Sequence, residues 1–158
     1  MSAILVNLGG SYVGLYFFGH RSTPTATEPI LYSVLEDLIR HKNVDLFYVG
    51  NQGNFDLLVR KTLKKLKKKY PHIKFFVVLA YMPQKKDDFN CGDFYDTLYP
   101  ENLEKTPPQY AIVNRNLWML NRSDYVVTYV RYVVGSAMKF KELAEKKNKT
   151  VINIADMM

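Results

Sequence analysis

Short apolar runs alternate along most of the chain with longer segments in which apolar residues recur every three to four positions. Compact apolar runs are typical of buried strands, and the longer spacing is typical of helices that bury one face. This alternation predicts a parallel sheet with helices packed against it. We place strands at 14–18, 45–49, 74–79, 125–129 and 150–154.

Four helices are expected to connect these strands. We place them at 28–41, 55–70, 110–121 and 136–147. Thr27 is a suitable cap for the first helix, and Pro29 suits its first turn. The second helix ends before Pro71, where a helix cannot continue. The predicted fold class is therefore α/β, a Rossmann-like three-layer sandwich with a mainly parallel sheet of about five strands flanked by helices.

The length and composition agree with one folded domain. The chain has 158 residues, of which 47% are apolar and 14% aromatic, enough to bury a sizeable core. We assign residues 15–158 to a single domain and 1–14 to an N-terminal extension. Cys91 is the sole cysteine, so no internal disulfide can form, and no signal peptide or membrane span is evident. These features predict a cytoplasmic protein without membrane association.

The segment from 81 to 105 does not fit the alternation. It is rich in Asp, Asn, Tyr and Pro, and structureless connections of this length are usually lids or disordered insertions. Asp87, Asp88, Asp93 and Asp96 could suggest a cation, but they match no calcium-loop spacing and no histidine accompanies them. We therefore predict no metal site.

The net charge of +7 is concentrated in one place. Seven of the 22 lysines and arginines lie within residues 60–69. Apolar residues recur at helical spacing through the same segment, so the basic side chains occupy the opposite, solvated face. No aromatic residues interleave with them, and we interpret the face as a solubility feature rather than a nucleic-acid surface. Binding of nucleic acid through Lys64, Lys65 and Lys68 remains an alternative.

Two glycine-bearing bends are the strongest candidates for a ligand site. Ligands in open parallel sheets gather beyond the carboxyl ends of the strands. The bend GNQGNFD at 50–56 joins a strand to a helix, where free backbone amides favour a phosphate. A tight turn capped by Asn54 is the alternative interpretation. A second bend at 135–137 also opens a helix after a strand, so the two helix N-termini are expected to face one crevice.

Arg115 gives an independent indication of an anionic ligand. On the third predicted helix it shares the apolar face with Ala111, Trp118 and Met119. An arginine that faces a core is costly unless it meets an anion. A ligand phosphate is the favoured anion, and a structural pair with Asp56 is the alternative.

Other candidates follow the strand ends. Arg21 offers a planar fork suited to phosphate, and Tyr81 and Tyr129 offer rings on which a base can stack. No nucleophile with an adjacent base can be assembled by position, so no catalytic residue is assigned. The predicted ligand- or phosphate-binding residues are Gly19, His20, Arg21, Gly50, Asn51, Gln52, Gly53, Asp56, Tyr81, Asn114, Arg115, Thr128, Tyr129, Gly135, Ser136, Ala137 and Lys139.

Five segments of the chain resemble the SLOG superfamily, which is named for its SMF/DprA (DNA-processing) and LOG branches. The segments are FFGHR at 17–21, DLFYVGNQGNFD at 45–56, VVLAYMP at 77–83, PPQYAIVNRNLWML at 107–120 and SDYVVTY at 123–129. The resemblance covers 15–154 and is greatest to small stand-alone bacterial members. It implies a Rossmann-like fold that binds a nucleotide or a nucleotide-derived small molecule.

The resemblance also bears on catalysis. LOG proteins hydrolyse the N-glycosidic bond of a nucleoside monophosphate with a helical arginine and a glutamate in a PGG-x-GT-x-x-E motif. Arg115 matches the arginine, but Lys139 falls on the glutamate, and Val134 replaces a glycine before Gly135. A lysine cannot stabilise a developing cationic sugar as a carboxylate does, although it could hold a phosphate. We therefore expect a binding or sensing protein.

Two alternative functions and one assembly question stay open. The first alternative is a nucleotide N-glycosidase or phosphoribohydrolase-like enzyme that uses another carboxylate, such as Asp56. The second is nucleic-acid binding through the lysine-rich helix. No cofactor is assigned beyond the nucleotide-derived ligand. Because many Rossmann-like relatives pair through helices, a homodimer is also considered.

Overall fold

The computed structural model describes residues 12–51, 53–81, 96–100, 103–131 and 135–158. The strands are β1 Gly14–Gly19, β2 Leu46–Val49, β3 Lys74–Val78, β4 Asp96–Leu98, β5 Tyr125–Tyr129 and β6 Thr150–Asn153. The helices are α1 Glu28–His41, α2 Gly53–Lys69, α3 Ala111–Asn121 and α4 Ser136–Lys146. In the described part of the chain the strands form one sheet in the order β4-β3-β2-β1-β5-β6, and every strand pair is parallel. The predicted Rossmann-like α/β fold is confirmed.

The sheet has one strand more than the sequence predicts. β4 lies inside the segment 81–105, which the composition assigns to a lid or a disordered insertion, and it pairs with β3. Leu98 and Tyr99 are buried against the rest of the domain. A strand of three residues is too short to show the alternation that identifies the other five. The residues Asp87, Asp88 and Asp93 lie outside the described residues.

Thr27 occupies the predicted N-cap position of α1, and Asn54 is not the cap that the alternative interpretation of the 50–56 bend makes it. The Thr27 hydroxyl makes no cap hydrogen bond and donates instead to Met158 Sδ at 3.7 Å. Asn54 is not a cap, because α2 begins one residue earlier, and the Asn54 amide donates to the Arg21 carbonyl at 3.0 Å. α2 can begin at Gly53 because that residue has a φ of +81°, which a side chain would strain.

The two faces of the sheet differ in what they bury. Successive strand residues point to opposite sides, so Leu15 and Phe17 face one side and Tyr16 and Phe18 the other. The side covered by α1 and α2, called here the α1/α2 face, packs mainly leucine, phenylalanine and valine. The side covered by α3 and α4, the α3/α4 face, also buries tyrosine hydroxyls and an arginine.

The strand order places a crevice beside β1. The chain proceeds from β1 through β2, β3 and β4 on one side and through β5 and β6 on the other. Connections therefore diverge between β1 and β5, which is where ligands bind in open parallel sheets. The Asn153 side chain fixes the chain beyond β5, since it bonds both the amide and the carbonyl of Val130 at 2.9 Å. Each helix in the described part of the chain is too short or too polar to traverse a lipid bilayer.

Candidate functional site

A cleft of about 330 Å³ opens at the carboxyl ends of β1 and β2, below the start of α4. This volume lies at the lower end of the range of small-molecule sites. It is lined by Tyr16, Phe17, Phe18, Gly19, His20, Arg21, Gly50, Asp56, Ile112, Arg115, Asn116, Met119, Gly135, Ser136 and Ala137.

The cleft brings together the two glycine bends and the inward arginine. Gly50 contributes from one bend, and Gly135 contributes from the other together with the first residues of α4. The two bends therefore face the same cleft. The predicted residues that line it are Gly19, His20, Arg21, Gly50, Asp56, Arg115, Gly135, Ser136 and Ala137.

Arg115 is buried, with only 3% of its surface exposed. Its Nη1 donates to Asn51 Oδ1 at 3.3 Å, while Nε and Nη2 donate to Asn116 Oδ1 at 3.3 and 3.1 Å. These acceptors are neutral amide oxygens, so they orient the guanidinium without cancelling its charge. Asn51 thus acts on the cleft by positioning Arg115.

Asp56 and Arg115 approach each other over Gly50. A Cβ added to Gly50 would lie 2.7 Å from Asp56 Oδ2 and 3.1 Å from Arg115 Nη2. Because both charged groups converge on this one point, only glycine leaves room for them. Asp56 is itself 7% exposed. The floor of the cleft therefore carries an acceptor and a donor of opposite charge side by side.

Tyr16 adds a neutral donor to this floor. Its side chain is 1% exposed, and no described residue forms a hydrogen bond with its hydroxyl. Burial raises the pKa of Tyr16 well above its ordinary value, while Arg115 lowers it and Asp56 raises it. The phenol therefore stays protonated, and its O–H group can donate a hydrogen bond.

The first turn of α4 also lines the cleft. Gly135 is the N-cap residue of α4 and has a φ of +113°. It has no side chain that could accept a hydrogen bond from the first amides of the helix. A Cβ at Gly135 would meet nothing within 4 Å, so its backbone conformation, not crowding, requires glycine. Uncapped amides at a helix start favour an anion.

His20 connects the loops that follow β1 and β5. Its Nε2 accepts a hydrogen bond from the Arg131 amide at 2.9 Å, which requires the neutral ring. Burial lowers the pKa of His20, and this favours the same neutral form. Its ring also contacts the edge of Tyr129. The imidazole therefore holds one wall of the cleft in place.

Three predicted residues lie away from the cleft on the surface. Tyr81 is 47% exposed and donates to the Pro108 carbonyl at 3.1 Å. Asn114 is exposed and donates to Thr106 Oγ1 at 3.4 Å, because it lies one position before Arg115 and on another side of α3. Lys139 is also exposed and does not line the cleft.

Others pack outside the cleft lining or are not described. Gly53 packs against Arg21, where a Cβ would come within 2.9 Å of the Arg21 Cγ. Tyr129 packs in the core of the α1/α2 face and does not line the cleft. Thr128 is fully buried and does not line the cleft. Gln52 lies outside the described residues.

The sequence reasoning missed part of the lining. The residues that it missed are Tyr16, Phe17, Phe18, Ile112, Asn116 and Met119. Candidates were sought after the strand ends, whereas Tyr16 lies within β1 and Ile112 and Met119 within α3. A tyrosine inside an otherwise apolar strand was the available signal for Tyr16. The position of Asn116 next to an inward arginine was the signal for its role as an acceptor.

The lysine-rich face of α2 is partly neutralised by its neighbours. Lys65 Nζ lies 2.6 Å from Glu28 Oε1, and Lys69 Nζ lies 2.7 Å from Glu36 Oε2. A third lysine of this face, Lys67, donates to a backbone carbonyl beyond the end of α2. Charge that could attract a polyanion is thereby reduced. Among the described residues, no group of three or more histidine, cysteine or carboxylate side chains is placed to hold a metal.

Comparison with known proteins identifies a structural relative. No protein-family model matches the chain, and no curated protein matches its sequence. A solved structure of DNA processing protein A from Helicobacter pylori superposes with a TM-score of 0.51 and 12% identity over 92% of this chain and 78% of that one. The chain shares the fold of this DNA-processing protein. That protein is described as having a unique single-stranded DNA binding mode, and at 12% identity the likeness concerns the fold alone.

Proposed function

We propose that the cleft binds a phosphorylated, nucleotide-derived small molecule and that the protein acts as its binder or sensor. The observation that carries this proposal is the convergence of the buried Arg115 guanidinium and the uncapped start of α4 on one cleft. Each favours an anion, and together they suit a phosphate better than either does alone.

The environment of Arg115 supports an anionic ligand. Burying a guanidinium is costly, and it is compensated here by the amide oxygens of Asn51 and Asn116 and by the nearby Asp56 carboxylate. Arg21, on the cleft wall, adds a second positive charge. A ligand phosphate would balance this second charge.

The remaining walls support a ligand larger than phosphate itself. Phe18, Ile112 and Met119 offer apolar surface to a base or a sugar. The resemblance to the SLOG superfamily favours the same class of ligand. A nucleoside monophosphate is therefore the natural first probe.

Hydrolysis of a nucleotide is a less favoured function of the same cleft than binding. Among the described residues that line the cleft, Asp56 alone carries a carboxylate, and it adjoins Arg115. Ionised Asp56 could stabilise a cationic sugar, but these lining residues include no second carboxylate to protonate a leaving base. Incubation with nucleoside monophosphates is expected to release no free base, and release that is lost in Asp56→Asn would establish an enzyme.

Binding is tested with a panel of nucleoside mono- and diphosphates. Native mass spectrometry of the purified protein reveals a co-purified ligand, and calorimetry measures affinity for each panel member. Arg115→Ala is expected to weaken the best binder about 100-fold, the loss typical of one charge-assisted contact. The matched control is Arg122→Ala, at the end of α3, whose guanidinium stacks on Trp118 outside the cleft.

Two results would count against the proposal. One is the absence of binding for every phosphorylated probe. The other is a large fall in melting temperature of Arg115→Ala with unchanged affinity, which would make Arg115 a purely structural residue.

Binding of single-stranded DNA is the second candidate, supported by the shared fold with a protein described by its DNA-binding mode. Exposed Lys61, Lys64 and Lys68 extend along α2. Affinity for a labelled oligonucleotide should then fall steeply with salt. It should also fall in Lys64→Ala/Lys65→Ala/Lys68→Ala, and a triple variant that binds DNA as well as the parent would exclude this lysine face.

A further inference from the structure

The buried hydroxyl of Tyr16 is the least satisfied polar group beside the cleft. The residue lies in the middle of β1, the central strand nearest the point where connections diverge. Its hydroxyl has no hydrogen-bond partner among the described residues. Native proteins seldom leave a buried hydroxyl unpaired, because its desolvation is then uncompensated. A ligand atom that reaches the floor would pair it.

Tyr16 shares the lining of the cleft with charged residues. Arg115 and Asp56 are the two charged residues that influence the ionisation of Tyr16, and all three line the cleft. The floor thus holds a neutral O–H donor, a carboxylate acceptor and a guanidinium donor.

This combination is better matched by a hydroxyl than by a phosphate. A phosphate placed against the Asp56 carboxylate would be repelled by it, whereas a hydroxyl accepts one hydrogen bond and donates another. A carboxylate has about four acceptor positions, and the proposal gives one of those of Asp56 to this hydroxyl. Arg115 and the start of α4, which also line the cleft, are then left for the phosphate.

We propose that Tyr16 and Asp56 recognise a ribose hydroxyl of the bound ligand, Tyr16 as the donor and Asp56 as the acceptor. The inference rests on the proposed function and deepens it, because it names the ligand class as a ribonucleotide or a ribose phosphate in preference to deoxy forms. Sites that hydrogen-bond a ligand hydroxyl discriminate strongly against analogues that lack it, since their own buried polar groups are then left unpaired.

The test compares ribose and deoxyribose probes in matched pairs. Affinities are measured by calorimetry for ribose 5-phosphate and 2-deoxyribose 5-phosphate, and for the four ribonucleoside 5′-monophosphates with their 2′-deoxy and 3′-deoxy forms. The wild type is expected to prefer the ribose form by at least about tenfold over one deoxy form. If ribose 5-phosphate also binds more tightly than 2-deoxyribose 5-phosphate, the ligand class is sugar phosphates in general. If the ribose form is preferred only among the nucleotides, the ligand class is ribonucleotides.

Tyr16→Phe removes the hydroxyl and keeps the ring. This variant is expected to bind the ribose form about tenfold more weakly and the deoxy form unchanged, so that the preference is lost. Because it removes an unpaired hydroxyl, its melting temperature should equal or exceed that of the wild type. Tyr48→Phe is the matched control, since Tyr48 is a buried tyrosine of the same α3/α4 face that packs on Trp118 and does not line the cleft.

The failure of this inference differs from the failure of the proposed function. Equal binding of ribose and deoxyribose forms, with Arg115→Ala still abolishing it, overturns the recognition of a hydroxyl and leaves phosphate binding intact. A Tyr16→Phe variant that keeps the full ribose preference also overturns it. No binding of any phosphorylated probe overturns both.

Discussion

The two faces of the sheet are built from the same strands but treat polar atoms differently. On the α1/α2 face the buried Thr62 hydroxyl donates to the Leu58 carbonyl at 2.8 Å. On the α3/α4 face the buried hydroxyls of Tyr16 and Thr128 have no partner among the described residues. Both buried hydroxyls without a partner among the described residues therefore lie on the α3/α4 face.

The difference has an energetic meaning. An unpaired buried hydroxyl costs about 1–3 kcal/mol, which is a large part of the stability of a small domain. The apolar α1/α2 face offsets such costs, because burial of each large aliphatic side chain contributes about 1.5–3 kcal/mol. The packing of the α1/α2 face can therefore offset the cost of two unpaired hydroxyls on the α3/α4 face.

The largest expected effect is on stability, from a cavity in the α1/α2 face. Leu63 of α2 is fully buried, and Leu63→Ala should lower the free energy of unfolding by about 2–5 kcal/mol. Denaturant unfolding measures this change. Affinity of the folded variant for a nucleotide probe should be unchanged, and a parallel loss of affinity would show that the two faces are not separate in function.

A smaller effect is expected at the glycine that begins the α4 bend. Gly135→Ala forces a side chain into a φ of +113° and should cost about 1–3 kcal/mol or distort the bend. Phosphate affinity should fall with it, because the amides that follow would shift. Calorimetry and thermal unfolding measure the two changes together.

Gly50→Ala provides the contrasting case on the floor of the cleft. Its backbone is unstrained, but the added Cβ would collide with Asp56 Oδ2 at 2.7 Å. We expect weaker binding with little backbone strain, since the collision displaces charged side chains. If Gly135→Ala bound its ligand as tightly as the wild type, the α4 bend would have no part in the site.

The fold was predictable because it depends on periodic burial. The alternation of apolar runs located β5 at Tyr125–Tyr129 and α1 at Glu28–His41 to the residue. β4 was not predictable, since three residues carry no period and its place depends on pairing with β3. The hydroxyl of Thr27 failed as a cap because a tertiary contact with Met158 replaced the local one.

The site was predictable only where local sequence and topology agree. Gly50 and Gly135 follow strands, and a parallel sheet brings strand ends to one edge. Arg115 was identified from the helical period, which showed it on the buried side of α3. The orientation of Tyr129 toward the α1/α2 face depends on strand register, which is not visible one residue at a time. This explains why an aromatic residue near the edge was placed on the wrong side.

Substitution of Thr128 tests the contrast between the two faces, because removing a buried hydroxyl that has no partner among the described residues should raise stability. Thr128 is fully buried on β5 and lies outside the cleft lining. Thr128→Val keeps the shape and removes the unpaired group, so the free energy of unfolding should rise by about 1 kcal/mol. Thermal unfolding measures the gain. A loss of stability would show that the hydroxyl has a partner, and the stated difference between the faces would then rest on Tyr16 alone.

The smallest expected effect is a pH dependence from His20. Because burial lowers its pKa below the ordinary 6.5, the unfolded chain binds the proton first as the pH falls. The contribution of His20 to stability is therefore full above about pH 6.5 and is lost as the pH falls through the folded-state pKa. Protonated Nε2 also cannot accept from the Arg131 amide. Since the ring is partly exposed, the effect should stay below about 1 kcal/mol.

His20→Gln keeps an acceptor that does not titrate, so its melting temperature should fall less than that of the wild type between about pH 7.5 and about pH 5.5. Equal falls would show that His20 does not hold the β5 side of the cleft through its neutral ring.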